Sequence, residues 1–132
     1  IIDGFDISPE MISVAREKNI YRKLYEIDLT KPIENVPNNY AGIISAGVFT
    51  HGHLGPEIIY NLLSLCKKGA ILTIGINALY YKNKKFENFI NYLEKNKKIT
   101  INKIASRPIY ADSKGSINKE NNIATICTFI KN

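Results

Sequence analysis

The stretch IIDGFDISPEM, residues 1–11, decides how the rest of the chain is read. Ile1 and Ile2 open an apolar run that ends at Asp6, and a strand of that kind belongs inside an α/β sheet. Ser8 followed by Pro9 marks a helix start. A serine hydroxyl can take up a free backbone N–H of the first turn, and proline at the first helical position gives up no hydrogen bond. Met11, Ile12 and Ala15 then give the predicted helix an apolar side, with Arg16, Glu17 and Lys18 turned to water. A strand that reads as buried, with no residue before it, is the feature to be explained.

Outward from that stretch, strand-like and helical runs alternate. "LYEID" is a short strand ending at Asp28, and "TKPIENVPNN", with two prolines and three asparagines, is a loop. "AGIISAGVF" is predicted as a buried strand that runs into the loop "GVFTHGHLG". Pro56 starts a helix through Cys66, with Ile58, Ile59, Leu62, Leu63 and Cys66 inward. Lys67 and Lys68 are expected in its last turn, where cations suit the helix dipole, and Gly69 as the left-handed cap. "AILTIGI" is a central strand, and a helix is predicted over residues 85–95 with Phe86, Phe89, Ile90 and Leu93 at helical spacing. "ITINKIAS" and "IATICTFI" are strands joined by the polar loop "DSKGSINKENN". With no helix between them, these last two strands suit an antiparallel pair. The pattern as a whole is that of a mostly parallel sheet covered by helices.

The 132 residues, 45% of them hydrophobic, suit one globular domain over residues 1–132. No apolar run approaches the roughly 18 residues that a bilayer-spanning helix needs, and no secretory signal is visible. Cys66 and Cys127 lie in apolar segments without CxxC spacing, which reads as buried reduced thiols in a cytoplasmic protein. The net charge of +6 invites a nucleic-acid partner. Lysine, asparagine and isoleucine are abundant together, however, as AT-rich coding would produce, and the lysines fall in short scattered groups typical of solvated faces. No specific nucleic-acid or membrane partner is expected.

Chemistry is expected at the carboxyl ends of the strands, where open α/β sheets bind their ligands. Asp6 ends the first strand and Asp28 the second, about one strand–helix–strand step apart. One carboxylate can accept from two ribose hydroxyls, and its neighbour from an exocyclic amine such as that of adenine. A purely structural reading stands beside this: Asp6 helps to cap the helix at Ser8, and Asp28 begins a turn.

On these residues the sequence resembles a family. "GFDISPEMISVAREK", "YEIDL", "YAGIISAGVFTHGHLGPE" and "LCKKGAILTIGIN" look like successive motifs of class I S-adenosylmethionine-dependent methyltransferases, and are similar in particular to the Williams–Beuren-type methyltransferase-like group. The resemblance implies a Rossmann-like sheet, mostly parallel with an antiparallel last strand. It implies that Asp6 holds the ribose hydroxyls, with Ile7 beside it, and that Met11 packs on the adenine ring. Asp28 would face the adenine amine and the Leu29 amide a ring nitrogen, while Ala46 and Gly47 would contact the methionine part. Met11 as a plain core residue is the alternative. His51 is the candidate base for a small-molecule methyl acceptor, and His53 a weaker one, although methyl transfer from a sulfonium depends mainly on in-line positioning and desolvation.

One family motif has no counterpart here. The eight glycines form no GxGxG turn, so the chain reads as a C-terminal part of a methyltransferase domain, lacking the first strand and its helix. On this reading the opening strand is the family's second. S-adenosylmethionine binding is then expected to be weak or absent. Unpaired sheet edges should make the chain repack, self-associate or remain marginal in stability. The principal reading is thus an S-adenosylmethionine-dependent methyltransferase; its alternative is a non-catalytic remnant of the fold that binds a partner or dimerises. A nicotinamide-dependent oxidoreductase also places an acid at a strand end, but fits the reversed last strand poorly.

Overall fold

Two sheets carry the chain in the computed structural model, which describes residues 1–49, 54–83, 85–109 and 122–132. They belong to two units, Ile1–Val36 and Pro37–Asn132.

The first unit is a β-α-β step. Strands β1 (Asp3–Asp6) and β2 (Lys23–Glu26) pair in parallel, with Asp3 opposite Lys23 and Asp6 opposite Glu26. Helix α1 (Pro9–Glu17) joins them. Its start is built as the sequence indicates: the Ser8 hydroxyl accepts from the Met11 amide at 3.2 Å and donates to Glu10 at 2.7 Å. That last bond holds the Glu10 carboxyl below its ordinary range. The near ends of the strands are tied by Arg22, whose guanidinium donates to both oxygens of Asp3 at 2.9 and 2.5 Å. The Phe5 and Tyr25 rings lie 5.3 Å apart, and Lys23 sits over Tyr25.

Two expectations for this unit are corrected. Ile1 and Ile2 precede the paired residues and are exposed, because one partner strand and one helix cannot enclose them. Of the three residues expected on the apolar side of α1, only Ile12 is buried; Ala15 is half-buried and Met11 is exposed.

The second unit is a four-stranded sheet in the order β3-β4-β6-β5. Strands β3 (Tyr40–Phe49) and β4 (Cys66–Asn77) are parallel, whereas β6 (Ile123–Lys131) runs against both β4 and β5 (Ile99–Pro108). Only β6 is therefore reversed, as the sequence reading of the last two strands expects. Alternation fixes the inner face. Ala70, Leu72, Ile74 and Ile76 of β4 and Cys127 and Phe129 of β6 are buried. Helices α2 (Ile58–Ser64) and α4 (Phe86–Lys95) add Ile58, Ile59, Leu62 and Leu63, and Phe86, Ile90 and Leu93. Both cysteines are free and buried, as expected, and burial pushes the Cys127 thiol up to about 12.

Strand β3 differs from expectation. Read as buried, it stands at the end of the sheet, where Phe49 is its only buried residue and Ile44 is 87% exposed. Its pairing with β4 is irregular between Ser45 and Phe49, the segment that contains Gly47 at φ +77°. Helix α2 also ends earlier, at Ser64, because Cys66 already pairs with Tyr40. Lys67 and Lys68 consequently belong to β4, and Gly69, at φ +80°, turns the strand instead of capping a helix. The cation at the end of α2 comes from 131: Lys131 Nζ donates to the Leu63 and Cys66 carbonyls at 2.9 and 2.6 Å. A short helix α3 (Ala78–Asn83), absent from the sequence reading, follows β4 at once. Asn77 Oδ1 accepts from the Leu79 and Tyr80 amides there, at 3.1 and 3.2 Å.

Candidate functional site

Asp6 is the last residue of β1, and its carbonyl accepts from the Ile27 amide at 2.8 Å. The parallel pairing thus continues one residue past β2 and brings Asp28 to the same end of the pair as Asp6. Neighbouring strands lie about 4.8 Å apart, so the two carboxylates flank one edge of this small sheet.

Each carboxylate has a local bond of the kind the structural reading anticipated. Asp6 Oδ1 accepts from the Ser8 amide at 2.9 Å, which links the strand end to the helix cap. Its other oxygen has no hydrogen-bond or ion-pair partner among the described residues, and the residue is exposed. Asp28 is more fully engaged. Its Oδ1 accepts from the Thr30 amide at 2.9 Å and the Thr30 hydroxyl at 2.6 Å, and its Oδ2 lies 3.3 Å from Lys31 Nζ. The Thr30 hydroxyl, then the Thr30 amide, hold the Asp28 carboxyl below its ordinary 3.8. It therefore stays an anionic acceptor at any neutral pH.

The remaining unit 1 candidates sit on the same segment. Ile7 and Met11 are 62% and 51% exposed, an uncovered apolar surface directly after the Asp6 strand end. Leu29 is half-buried in the turn closed by the Lys31 amide on the Asp28 carbonyl at 3.1 Å. A free carboxylate oxygen, exposed apolar side chains and a second carboxylate held only by an exposed lysine and a threonine suit the ribose, ring and amine of an adenosine group. The residues present therefore fit S-adenosylmethionine chemically.

In unit 2, Ala46 and Gly47 lie in the irregular part of β3 and are exposed. A Cβ built on Gly47 would meet nothing within 4 Å, so its glycine answers the positive φ and not crowding. His51 and His53 lie outside the described residues, as does most of the loop before β6. Near the end of β3, the Tyr80 hydroxyl donates to the Leu54 carbonyl at 2.6 Å, and desolvation raises its pKa.

Sequence reasoning missed Thr30 and Tyr80. The first had a signal: Asp28-Leu29-Thr30 repeats the acid–x–hydroxyl spacing of Asp6-Ile7-Ser8, and both form the same short turn from carboxylate to amide two residues on. Tyr80 had none, because its partner lies 26 residues away.

No protein-family model matches the chain. No curated protein matches it by sequence. Solved structures do match. The N-methyltransferase NodS from Bradyrhizobium japonicum WM9, in complex with S-adenosyl-L-homocysteine, aligns at TM-score 0.66 and 15% identity, over 98% of this chain and 65% of that one. An S-adenosyl-L-methionine-dependent methyltransferase from Methanococcus maripaludis aligns at 0.65 and 15%, over 98% and 66%. One from Listeria monocytogenes aligns at 0.65 and 11%, over 98% and 79%. The chain thus spans slightly under two thirds of NodS. At these identities the likeness shows the fold, which is that of the class I S-adenosylmethionine-dependent methyltransferases.

Proposed function

We propose that the chain is part of an S-adenosylmethionine-dependent methyltransferase acting on a small molecule. The observation that carries this reading is the pair of carboxylates, Asp6 at the carboxyl end of β1 and Asp28 two residues past the carboxyl end of its parallel partner β2. The matching solved structures, one of them an N-methyltransferase with S-adenosyl-L-homocysteine bound, support the same chemistry.

In this reading the unengaged oxygen of Asp6 accepts from the ribose hydroxyls, while Ser8 keeps the other oxygen and so fixes the carboxylate's direction. Ile7 and Met11 cover the adenine ring, Asp28 accepts from its amine in place of Lys31, and the Leu29 amide meets a ring nitrogen. The cofactor supplies a methyl group on a sulfonium. The chain's task is to bind, aim and exclude water, with His51 as the candidate base.

A second reading is a methyltransferase-fold module that binds without catalysis. It draws on the absence of a GxGxG turn from residues 1–132. Calorimetric titration with S-adenosylmethionine and S-adenosylhomocysteine tests both. Weak binding that Asp6→Ala abolishes supports the methyltransferase reading. No heat at millimolar ligand would leave only the module.

A further inference from the structure

We infer that the end of the unit 2 sheet at which β4 and β5 begin and β6 finishes binds single-stranded nucleic acid without regard to base sequence. Along the chain, Lys67-Lys68 and the lysines from Lys95 to Lys98 are separate groups. The fold joins them. Strand β6 lies between β4 and β5, with Ile130 opposite Ile71 and Lys131 opposite Ile99, and the Asn132 amide donates to the Lys98 carbonyl at 3.1 Å. The two groups therefore reach one end of the sheet two strand spacings, about 10 Å, apart. Ammonium groups on long stems at that separation share a field in physiological salt, where screening acts over about 8 Å.

Lys67, Lys68, Lys95, Lys97 and Lys98 are all exposed, and among the described residues their ammonium groups have no hydrogen-bond or ion-pair partner. The acid on the same helix end, Glu94, turns one oxygen to the Ile101 amide at 2.9 Å. Positive charge is thus concentrated here and left uncompensated.

Two backbone features present these lysines. In β4, residues 67–70 stand against the single residue Ala41 of β3, so Lys67 and Lys68 sit on a bulge that Gly69, at φ +80°, turns. After α4, Lys97 has φ +53°, the left-handed position that glycine ordinarily fills, and its amide donates to the Glu94 carbonyl at 2.9 Å. A lysine there strains the backbone and supplies a charge that glycine lacks. Strands β4 and β6 are each paired on both sides, so this end of the sheet is independent of the open side of β3.

The choice of occupant rests on the rings beside the charge. Tyr92 is 52% exposed and lies three residues before Lys95 on α4, on the same face. Its ring lies 6.2 Å from Phe89, which meets the edge of Tyr60, 40% exposed, at 5.5 Å. Free ammonium groups suit phosphates, and an exposed ring braced by other rings offers a face on which a base can stack. An acidic peptide would use the lysines alone, and a duplex keeps its bases closed to stacking. Lysine contacts to phosphate carry no sequence information, so the binding is general.

Fluorescence anisotropy of the 132-residue chain with short labelled oligouridine and oligoadenylate, repeated over a salt series, tests the inference. The expected result is binding at micromolar protein to both, falling steeply with salt and poorly displaced by polyglutamate or duplex. Lys67→Glu with Lys68→Glu should weaken it by about tenfold or more. Lys97→Gly should lower the salt slope by about 0.7 and weaken both complexes, with the melting temperature equal or higher. Tyr92→Ala should weaken binding about fivefold or more and leave the salt slope unchanged. Lys18→Glu with Lys23→Glu, in unit 1, is the control and should have little effect. Absence of binding overturns the inference, as does an equal loss in the unit 1 control. Full affinity in Tyr92→Ala, or polyglutamate or duplex bound as tightly, also overturns it, in favour of an acidic protein or a duplex. Should the Lys67 and Lys68 variant fail to fold, Lys97→Gly decides, and full affinity there overturns the inference.

Discussion

Unit 1 and unit 2 solve the problem of stability in opposite ways. Unit 2 buries whole aromatic and aliphatic side chains, among them Phe49, Phe86, Phe129, Leu72, Ile90 and Leu93, on a four-stranded sheet. Unit 1 buries one apolar residue, Ile12, and leaves Ile1, Ile2, Ile7, Met11, Val14 and Ile20 exposed. Its described contacts include a two-strand pairing, the Asp3–Arg22 ion pair, the Phe5–Tyr25 ring contact and Lys23 over Tyr25. A unit of 36 residues with so little core is marginal by itself. Yet unit 1 carries both candidate carboxylates. The residues best suited to recognise a ligand stand on the part of the molecule least able to hold its own shape, so ligand binding and local order should be linked.

The largest test of the contrast is Phe129→Ala. Removing a fully buried ring from the middle of the sheet should cost about 3–5 kcal/mol, read in urea unfolding as loss of the unit 2 transition. Native-state amide exchange should then separate the units without mutation. Amides of β4 and β6 are expected to exchange only through near-global opening, and those of β1 and β2 through local opening. A ligand that binds at Asp6 should slow exchange in unit 1, by about 2.7 kcal/mol at a hundredfold excess over its Kd. Equal protection in both units would erase the distinction.

A smaller effect, about 1 kcal/mol, is expected for Ser8→Ala, which removes the hydroxyl that accepts from the Met11 amide. It should appear as faster exchange in α1 with unit 2 unchanged.

The smallest effects are in pH, and they should come from opposite sides. In unit 2, burial raises the Cys127 thiol from 9.0 and the Tyr81 phenol from 10.0, each to about 12. Groups so raised favour the folded state fully below their ordinary values. That stability is lost as pH climbs from about 9 through 12. In unit 1, Asp28 is lowered, so its contribution is complete above 3.8 and is lost only as pH falls below that value. Thermal melts followed by exchange should therefore show unit 2 weakening first in alkali and unit 1 in acid. The acid effect is slight, because Asp28 lies at a solvent-reached turn.

Much of this was legible in sequence where the determinants are local. The Ser8-Pro9 helix start, the alternation in AILTIGI and IATICTFI, and the strand end at Asp6 need only neighbours in the chain, and each is found where expected, whereas the strand expected to end at Asp28 already ends at Glu26. The comparisons then bear out the methyltransferase fold that those elements suggested. What failed depended on distant residues. Ile43 and Ile44 read as core, but the order of strands puts β3 at an edge. Lys67 and Lys68 read as the cations for the end of α2, but Lys131 takes that place from β6.

The sequence by itself determined most of the elements, the reversed last strand and the strand end at Asp6, since period, capping and turn chemistry act over a few residues. Only the tertiary structure decided which apolar runs are buried and which oxygens remain open to a ligand. Burial and pairing depend on what lies beside a strand, and the chain's own order does not state that.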